Sequence, residues 1–290
     1  MAMRGPLTAL LAAVFALVAA CSDRHDFPAG APAMWEVTGA EGQHGYLFGT
    51  VHALPDGVEW RTQLFDEIYA SSQMLVVEAR PAAGSEQQAY FRQLYTTPGL
   101  PSPLDRVAPD KREDLAEALE ATGLSDGDLR NMESWAVALA ISSAAQIGES
   151  SNGVERVLLA DATDKQIEEL EGYAPQLEIF DSLPEQDQID LLGFAATDLD
   201  DARETGRYLI ERWLLGDLAA FEEQFETGML ADEGLYEALL ARRNRAWVDK
   251  IEPYLAASPP FIAVGAAHMI GPDGLPALLE ARGYTVTRIQ

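Results

Sequence analysis

Two stretches of this sequence repeat one local pattern. "YLFGTVHALP" (Tyr46 to Pro55) and "FIAVGAAHMIGP" (Phe261 to Pro272) each pass from apolar residues through Gly-x-x-His into a turn. Together, Gly49–His52 and Gly265–His268 hold half of the chain's four histidines. A glycine where a strand exits lets the backbone turn tightly, and the imidazole then projects at the rim of the sheet. Two imidazoles joined by a glutamate are an established donor set for a hydrolytic divalent metal. Such an ion polarises a carbonyl and acidifies water.

Two carboxylates stand where they could complete that set. Glu78 ends the apolar run "QMLVVE", and Glu171 follows "KQIEEL" just before Gly172. Glu78 is preferred as the third ligand, because its strand is expected to neighbour the one carrying His52. Glu171 would then be the general base, although the two glutamates could exchange roles. The plainer readings are a turn-capping carboxylate for Glu78 and a solvated acidic edge for Glu171.

Arg243 enters through helical spacing. Leu235, Leu239, Arg243, Trp247 and Ile251 recur every four residues, a row that drifts only slowly around a helix. An arginine among apolar neighbours needs a carboxylate partner or a substrate anion. An internal salt bridge to Glu78 or Glu171 and a role in orienting substrate charge fit equally. The sequence holds no G-x-S-x-G elbow, no H-E-x-x-H and no Gly-rich phosphate loop.

The elements that must position these groups follow from pattern. "MWEVTG" and "YLFGTVH" read as a β-hairpin around the turn "AEGQHG", with His44 as exposed turn filler. Trp60, Leu64 and Ile68 recur at helical spacing, with Phe65 and Tyr69 beside them, before the buried strand that ends at Glu78. Residues 81–259 are mostly helical in pattern. Ser182 with Pro184 and Glu185 suggests a capping box, and a long helix is expected from Leu235 to Leu255. After the strand "FIAVGAAH", Asp273 is expected to cap a helix that Gly283 ends, followed by a last strand, "YTVTRIQ". Strands alternating with helices predict an α/β fold with a central mixed sheet, flanking helices and a mainly helical middle insertion. His52, Glu78, Glu171 and His268 all fall at the carboxyl ends of strands, where sites gather in such sheets.

The amino terminus carries a different signal. "MAMRGPLTALLAAVFALVAAC" has one charge, an apolar run and small residues before Cys21, the layout of a secretory signal. "VAAC" is similar to a lipobox, so residues 1–20 are expected to be a lipoprotein signal peptide and Cys21 the lipidation site. Cys21 is the only cysteine, odd for a secreted protein and sensible for an anchor. Residues 21–33 would be a flexible tether that includes His25, and residues 34–290 the domain. Ser22 after the cysteine favours the outer membrane, with the domain facing the periplasm and touching the membrane only through its lipid. With 47 acidic against 20 basic residues and a formal charge of -27, the surface repels phosphate backbones, and no nucleic-acid partner is expected.

Several ordered blocks resemble the TraB/GumN family: "YLFGTVHALP", "MLVVEAR", "GVERVLLADATDKQIEELEGYAPQLEIFDSLPEQDQ", "ARRNRAW" and "VGAAHMIGPDGLPALLEARGYTVTRI". The bacterial GumN-type lipoproteins look nearest, over the chain from about Met34 to its end. The resemblance implies a relation to the animal Tiki proteins, membrane-tethered metal-dependent proteases that cleave secreted Wnt signals. It also implies a fold like that of erythromycin esterases and the ChaN haem-binding lipoproteins. The family's paired motifs fall on Gly49–His52 and Gly265–His268, its strand-end glutamate on Glu78, its later "LE" pair on Leu170–Glu171, and its Arg-Asn pair on Arg243–Asn244. Ala267 and Met269 stand where the family more often has Gly and Leu, and Arg242 where an acidic residue is common.

The expectation is therefore a Tiki-like metallohydrolase of the bacterial cell envelope, acting on a peptide or small carbonyl substrate. His52, Glu78 and His268 would hold Mn, Co or Zn. A metal-free His/Glu esterase and a non-catalytic lipoprotein that binds haem or a partner are the alternatives.

Overall fold

The structure, a computed structural model, describes residues 27–81 and 85–290. The expected signal peptide, Cys21 and His25 lie outside the described residues. Six strands form one mixed sheet: β1 Met34–Thr38, β2 His44–Thr50, β3 Met74–Val77, β4 Gln166–Glu169, β5 Pro260–Gly265 and β6 Thr285–Arg288. Their spatial order is β4-β3-β5-β2-β1-β6. The first four of that order run parallel, while β1 pairs antiparallel with both β2 and β6. The α/β expectation holds. One pairing differs: β5 lies between β3 and β2, so the strand of Glu78 neighbours that of His268 and not that of His52.

The longer helices are α1 Gln63–Ser71, α2 Ser85–Leu94, α3 Arg112–Ala121, α4 Ser134–Ala145, α5 Val154–Asp161, α6 Tyr173–Asp181, α7 Glu185–Ala195, α8 Leu199–Leu214, α9 Ala219–Thr227, α10 Arg242–Ala257 and α11 Leu275–Ala281. Strand alternation sends side chains to both faces of the sheet. Leu47, Val76, Ile262 and Val264 pack beneath Trp247 and Ile251 of α10 and Leu275 and Leu279 of α11. Phe48, Leu75, Val77 and Phe261 meet Phe65 of α1, Leu158 of α5 and Trp213 of α8 on the opposite face. A third core, around Trp135, Leu115 and Leu192, belongs to the helical insertion. Layers on both sheet faces explain why the central strands read as continuous apolar runs.

Local chemistry moved several expected boundaries. Helix α1 starts at Gln63 because Thr62 Oγ1 accepts the Phe65 N–H at 3.1 Å; Trp60 therefore lies before it, and Leu64 is exposed. Ser182 opens no capping box, since its hydroxyl donates to Ile179 O and so closes α6. Asp273 does not cap α11, which follows Gly274. Its carboxylate accepts from Tyr236 (3.1 Å) and Arg245 (3.3 Å) on the neighbouring segment. His44 is not turn filler but the first residue of β2, half-buried, with Nε2 2.8 Å from Glu36 Oε1. The described part of the expected tether is seated on the domain: Gly30 N donates to Glu59 O and Ala31 N to Leu214 O, both at 2.7 Å, and Phe27 packs against the core.

The long helix expected from Leu235 is interrupted. A π turn spans Glu237–Ala241 and passes directly into α10. Such turns widen the helix and recur at functional sites. Arg243 Nη1 reaches back to donate to Leu239 O inside this turn at 2.8 Å. Among the described residues, no helix is long and apolar enough to cross a membrane.

Candidate functional site

The four parallel strands end at one edge of the sheet and bring the sequence-derived residues together. Glu171 follows β4, Glu78 follows β3, His268 follows β5 and His52 follows β2. Two cavities of about 490 and 770 Å³ open at this edge, and His52, Glu78 and Gln176 line both.

Arg243 lies at the centre, its side chain 10% exposed. Nε and Nη2 donate to the two oxygens of Glu171 at 2.8 and 3.0 Å, a bidentate geometry that a lysine cannot reproduce. Nη2 also donates to Glu78 Oε2 at 2.9 Å, and Nη1 stands 3.3 Å from His268 Nε2. The indole of Trp247 packs against the guanidinium, 4.8 Å from ring centroid to Cζ, and against the His268 ring at 4.4 Å between centroids. The apolar row thus serves to place one cation among two carboxylates and an imidazole.

Glu78 is fixed on both oxygens. Oε1 accepts the Gly265 N–H at 2.7 Å, and Oε2 accepts Gln176 Nε2 at 2.9 Å as well as Arg243. Burial alone would raise this carboxyl, but the positive charges around it and the Gly265 N–H hold it down to about 2. His268 is pushed the other way, to about 4, chiefly by burial. With that imidazole neutral, Arg243, His52 and the Gly265 N–H are the groups that keep Glu78 ionised. Asn244 Oδ1 lies 2.6 Å from His268 Nδ1. That contact places the ring's N–H on Nδ1 and its lone pair on Nε2, 3.8 Å from Glu78 Oε1. Asn244 is itself buried and held by donating to Asp273 O at 2.7 Å.

His52 shares the motif but not the setting. Its side chain stays 70% exposed within the cleft, with Nδ1 3.5 Å from Glu155 Oε2. That carboxylate raises the imidazole to about 9. Burial in turn raises Glu155, which His52 only partly offsets. The pair therefore holds a proton near neutrality.

Glu155 and Gln176 were missed from sequence. Glu155 sits in the first turn of α5, where an acidic residue ordinarily complements the helix dipole, so nothing marked it as special. The available signal was Gly153. A Cβ there would lie 2.2 Å from His52 O, and Val154 N donates to Val51 O at 3.0 Å. This docking seats the start of α5 on the loop carrying His52.

The motif glycines have a different reason from the one expected. Neither Gly49 nor Gly265 has a positive φ, so turn conformation does not require them. A Cβ on Gly265 would sit 3.2 Å from Glu78 Oε1, and one on Gly49 3.1 Å from Ala266 Cα. They permit close approach. The glycine that does need left-handed backbone is Gly172, at φ 88°, where the chain turns from Glu171 into α6.

The donor chemistry suits a divalent cation. Near neutrality the carboxylates of Glu78, Glu155 and Glu171 face the guanidinium of Arg243 and the proton held by the His52–Glu155 pair, which leaves one negative charge. A divalent ion would displace that proton and cancel the two charges then left. Each imidazole also has Nδ1 near an oxygen, the orientation ligating histidines adopt, while His268 Nε2 stands 3.3 Å from Arg243 Nη1. Yet among the described residues no three His, Cys, Asp or Glu side chains are spaced to hold an ion, and Arg243 touches both His268 and Glu78. The donor types and charge fit, while the guanidinium is the cation present between those two residues.

Fold and site together define an α/β protein with a charged cleft at the carboxyl edge of a mixed sheet. The TraB/PrgY/gumN family model matches residues 33–288, and the chain belongs to that family. It is 25% identical over 259 residues to the uncharacterized protein YbaP of Shigella flexneri, spanning 84% of this chain and 91% of that one. Escherichia coli (strain K12) YbaP matches with the same identity and coverage. No solved structure matches.

Proposed function

We propose that this chain is a metal-dependent hydrolase of the bacterial cell envelope, lipid-anchored at Cys21, facing the periplasm from the outer membrane and acting on a peptide or small carbonyl substrate. His52, Glu78 and His268 would hold a divalent cation, Mn, Co or Zn. The observation that carries this reading is the paired anchoring of the imidazoles through Nδ1, by Glu155 and Asn244, beside an excess of carboxylate charge. When bound, such an ion polarises a carbonyl and acidifies water.

The chain's own residues supply the rest. Asn244 fixes the His268 tautomer, while Gln176 and the Gly265 N–H hold Glu78. Glu171 has both oxygens on Arg243 and so fixes the guanidinium between Glu78 and His268. The base role expected of Glu171 passes to Glu155, which lines the cleft beside His52.

One observation favours a second reading. Arg243 already provides a cation in contact with Glu78 and His268, so the His52–Glu155 pair could act without metal, taking a proton from water once it has released its own, with activity rising toward pH 9. Elemental analysis of the purified protein, beside a His52→Ala/His268→Ala double variant, separates the two. One equivalent of metal, lost in the double variant, is expected. No metal in either protein after Mn, Co and Zn are offered would sink the first reading. Peptide hydrolysis that persists in chelator would then establish the second.

A further inference from the structure

The two cavities that meet at His52, Glu78 and Gln176 differ in chemistry along their walls. The larger continues between helices of the insertion, past Leu139, Phe180, Leu209 and Phe221, each half-buried and therefore still showing surface. The smaller is lined by Arg80, Arg156, Ser150 and Tyr173. Arg80 is neutralised by Glu169, with Nε 3.3 Å from Oε1. Arg156 is exposed, and no carboxylate or carbonyl contacts it among the described residues. It follows Glu155 in the first turn of α5, so the segment that places Glu155 beside His52 also sets how far this guanidinium stands from the centre.

An unneutralised cation in the cleft of a protein with 47 acidic residues draws in what the rest of the surface repels. We propose that the cleft takes a substrate with an apolar acyl group on one side of the reacting carbonyl and a free carboxylate on the other, as in an N-acyl amino acid or the carboxyl end of a short peptide. Arg156 receives the carboxylate, for which its planar fork is suited. With Arg80 already paired, one positive charge remains, which matches a monoanion better than a phosphate dianion held beside three carboxylates. This proposal rests on the hydrolase reading and specifies its substrate class.

The test is calorimetric binding of N-octanoyl-alanine, its carboxamide and N-acetyl-alanine to the full-length protein, with hydrolysis followed on the same samples by mass spectrometry. The octanoyl acid is expected to bind about tenfold tighter than its amide, from one charge-assisted contact, and at least about tenfold tighter than the acetyl acid. Arg156→Gln should bring the octanoyl acid down to the affinity of its amide without shifting the melting temperature, and Arg156→Lys should restore part of the difference. Equal binding of acid and amide, a preference that survives in Arg156→Gln, or equal binding of octanoyl and acetyl acids would overturn the proposal. Discrimination without cleavage would uphold it and count against the hydrolase reading, so the two failures are distinct.

Discussion

The two Gly-x-x-His segments carry the same motif into opposite environments. His268 is 7% exposed, held by Asn244 and pushed toward the neutral form by burial. His52 is 70% exposed, faces Glu155 and is pushed toward the charged form. The motif places an imidazole at a strand exit, and its neighbours decide what that imidazole can do. One is a fixed part of the interior with a preset lone pair; the other is an open group with a carboxylate behind it.

The sharpest way to break this comparison is to remove the cation that stands against the buried member. Arg243→Ala leaves Glu78 and Glu171 facing each other without their bidentate partner. Stranding a buried charge in this way costs about 3–5 kcal/mol. Urea unfolding should show that loss, and Arg243→Lys should recover only part of it because a point charge cannot bridge the same oxygens. A loss under 1 kcal/mol, about the worth of a surface pair, would mean that the bridge is not buried in solution.

Next in size is an asymmetry between the imidazoles themselves. His268→Ala empties a site packed on Trp247 and orphans Asn244, a loss of about 2–4 kcal/mol. His52→Ala removes a solvent-facing ring and should stay within about 0.5 kcal/mol of wild type. Both variants should lose metal uptake and hydrolysis. Equal destabilisation by the two would contradict the contrast between a structural and an open histidine.

How much of this was legible depended on whether a signal was local. Both Gly-x-x-His motifs, the strand-end Glu78 and Glu171, and the buried Arg243 could be read, because strand ends and a four-residue row leave marks within a short window. The order of the strands could not. That β5 separates β2 from β3 is decided by packing between distant segments. Glu155 was hidden for another reason: an acidic residue in a helix's first turn has an ordinary explanation, and its contact with His52 depends on how α5 docks. Asp273 and Ser182 carried the right side chains for caps but found partners elsewhere.

Glu155 therefore offers a finer probe of the open half of the site. Glu155→Gln keeps the side chain's shape and removes the charge behind His52. Loss of an outer partner of this kind costs about 10–100-fold in metal affinity. Asn244→Ala should weaken uptake comparably but also lower stability, since Asn244 is buried and Glu155 lines the cleft. Titration of metal into the two variants, paired with their melting temperatures, would test that division.

The effects expected at the motif glycines should differ in kind. A Cβ on Gly49 would press on the Ala266 backbone at 3.1 Å, whereas one on Gly265 would meet the Glu78 carboxylate oxygen at 3.2 Å. The first obstacle is backbone, in the turn that follows β5; the second is the end of a side chain. Gly49→Ala should therefore act on folding, at about 1–3 kcal/mol, with metal stoichiometry unchanged in the folded fraction. Gly265→Ala should be milder in stability, because Glu78 can give by a few tenths of an ångström. That shift would lengthen the bond from the Gly265 N–H to Glu78 Oε1, now 2.7 Å, and should appear as weaker metal uptake. If both variants lose stability equally and bind metal alike, the two glycines have one structural role, and the difference between the two halves of the site resides in the histidines' neighbours alone.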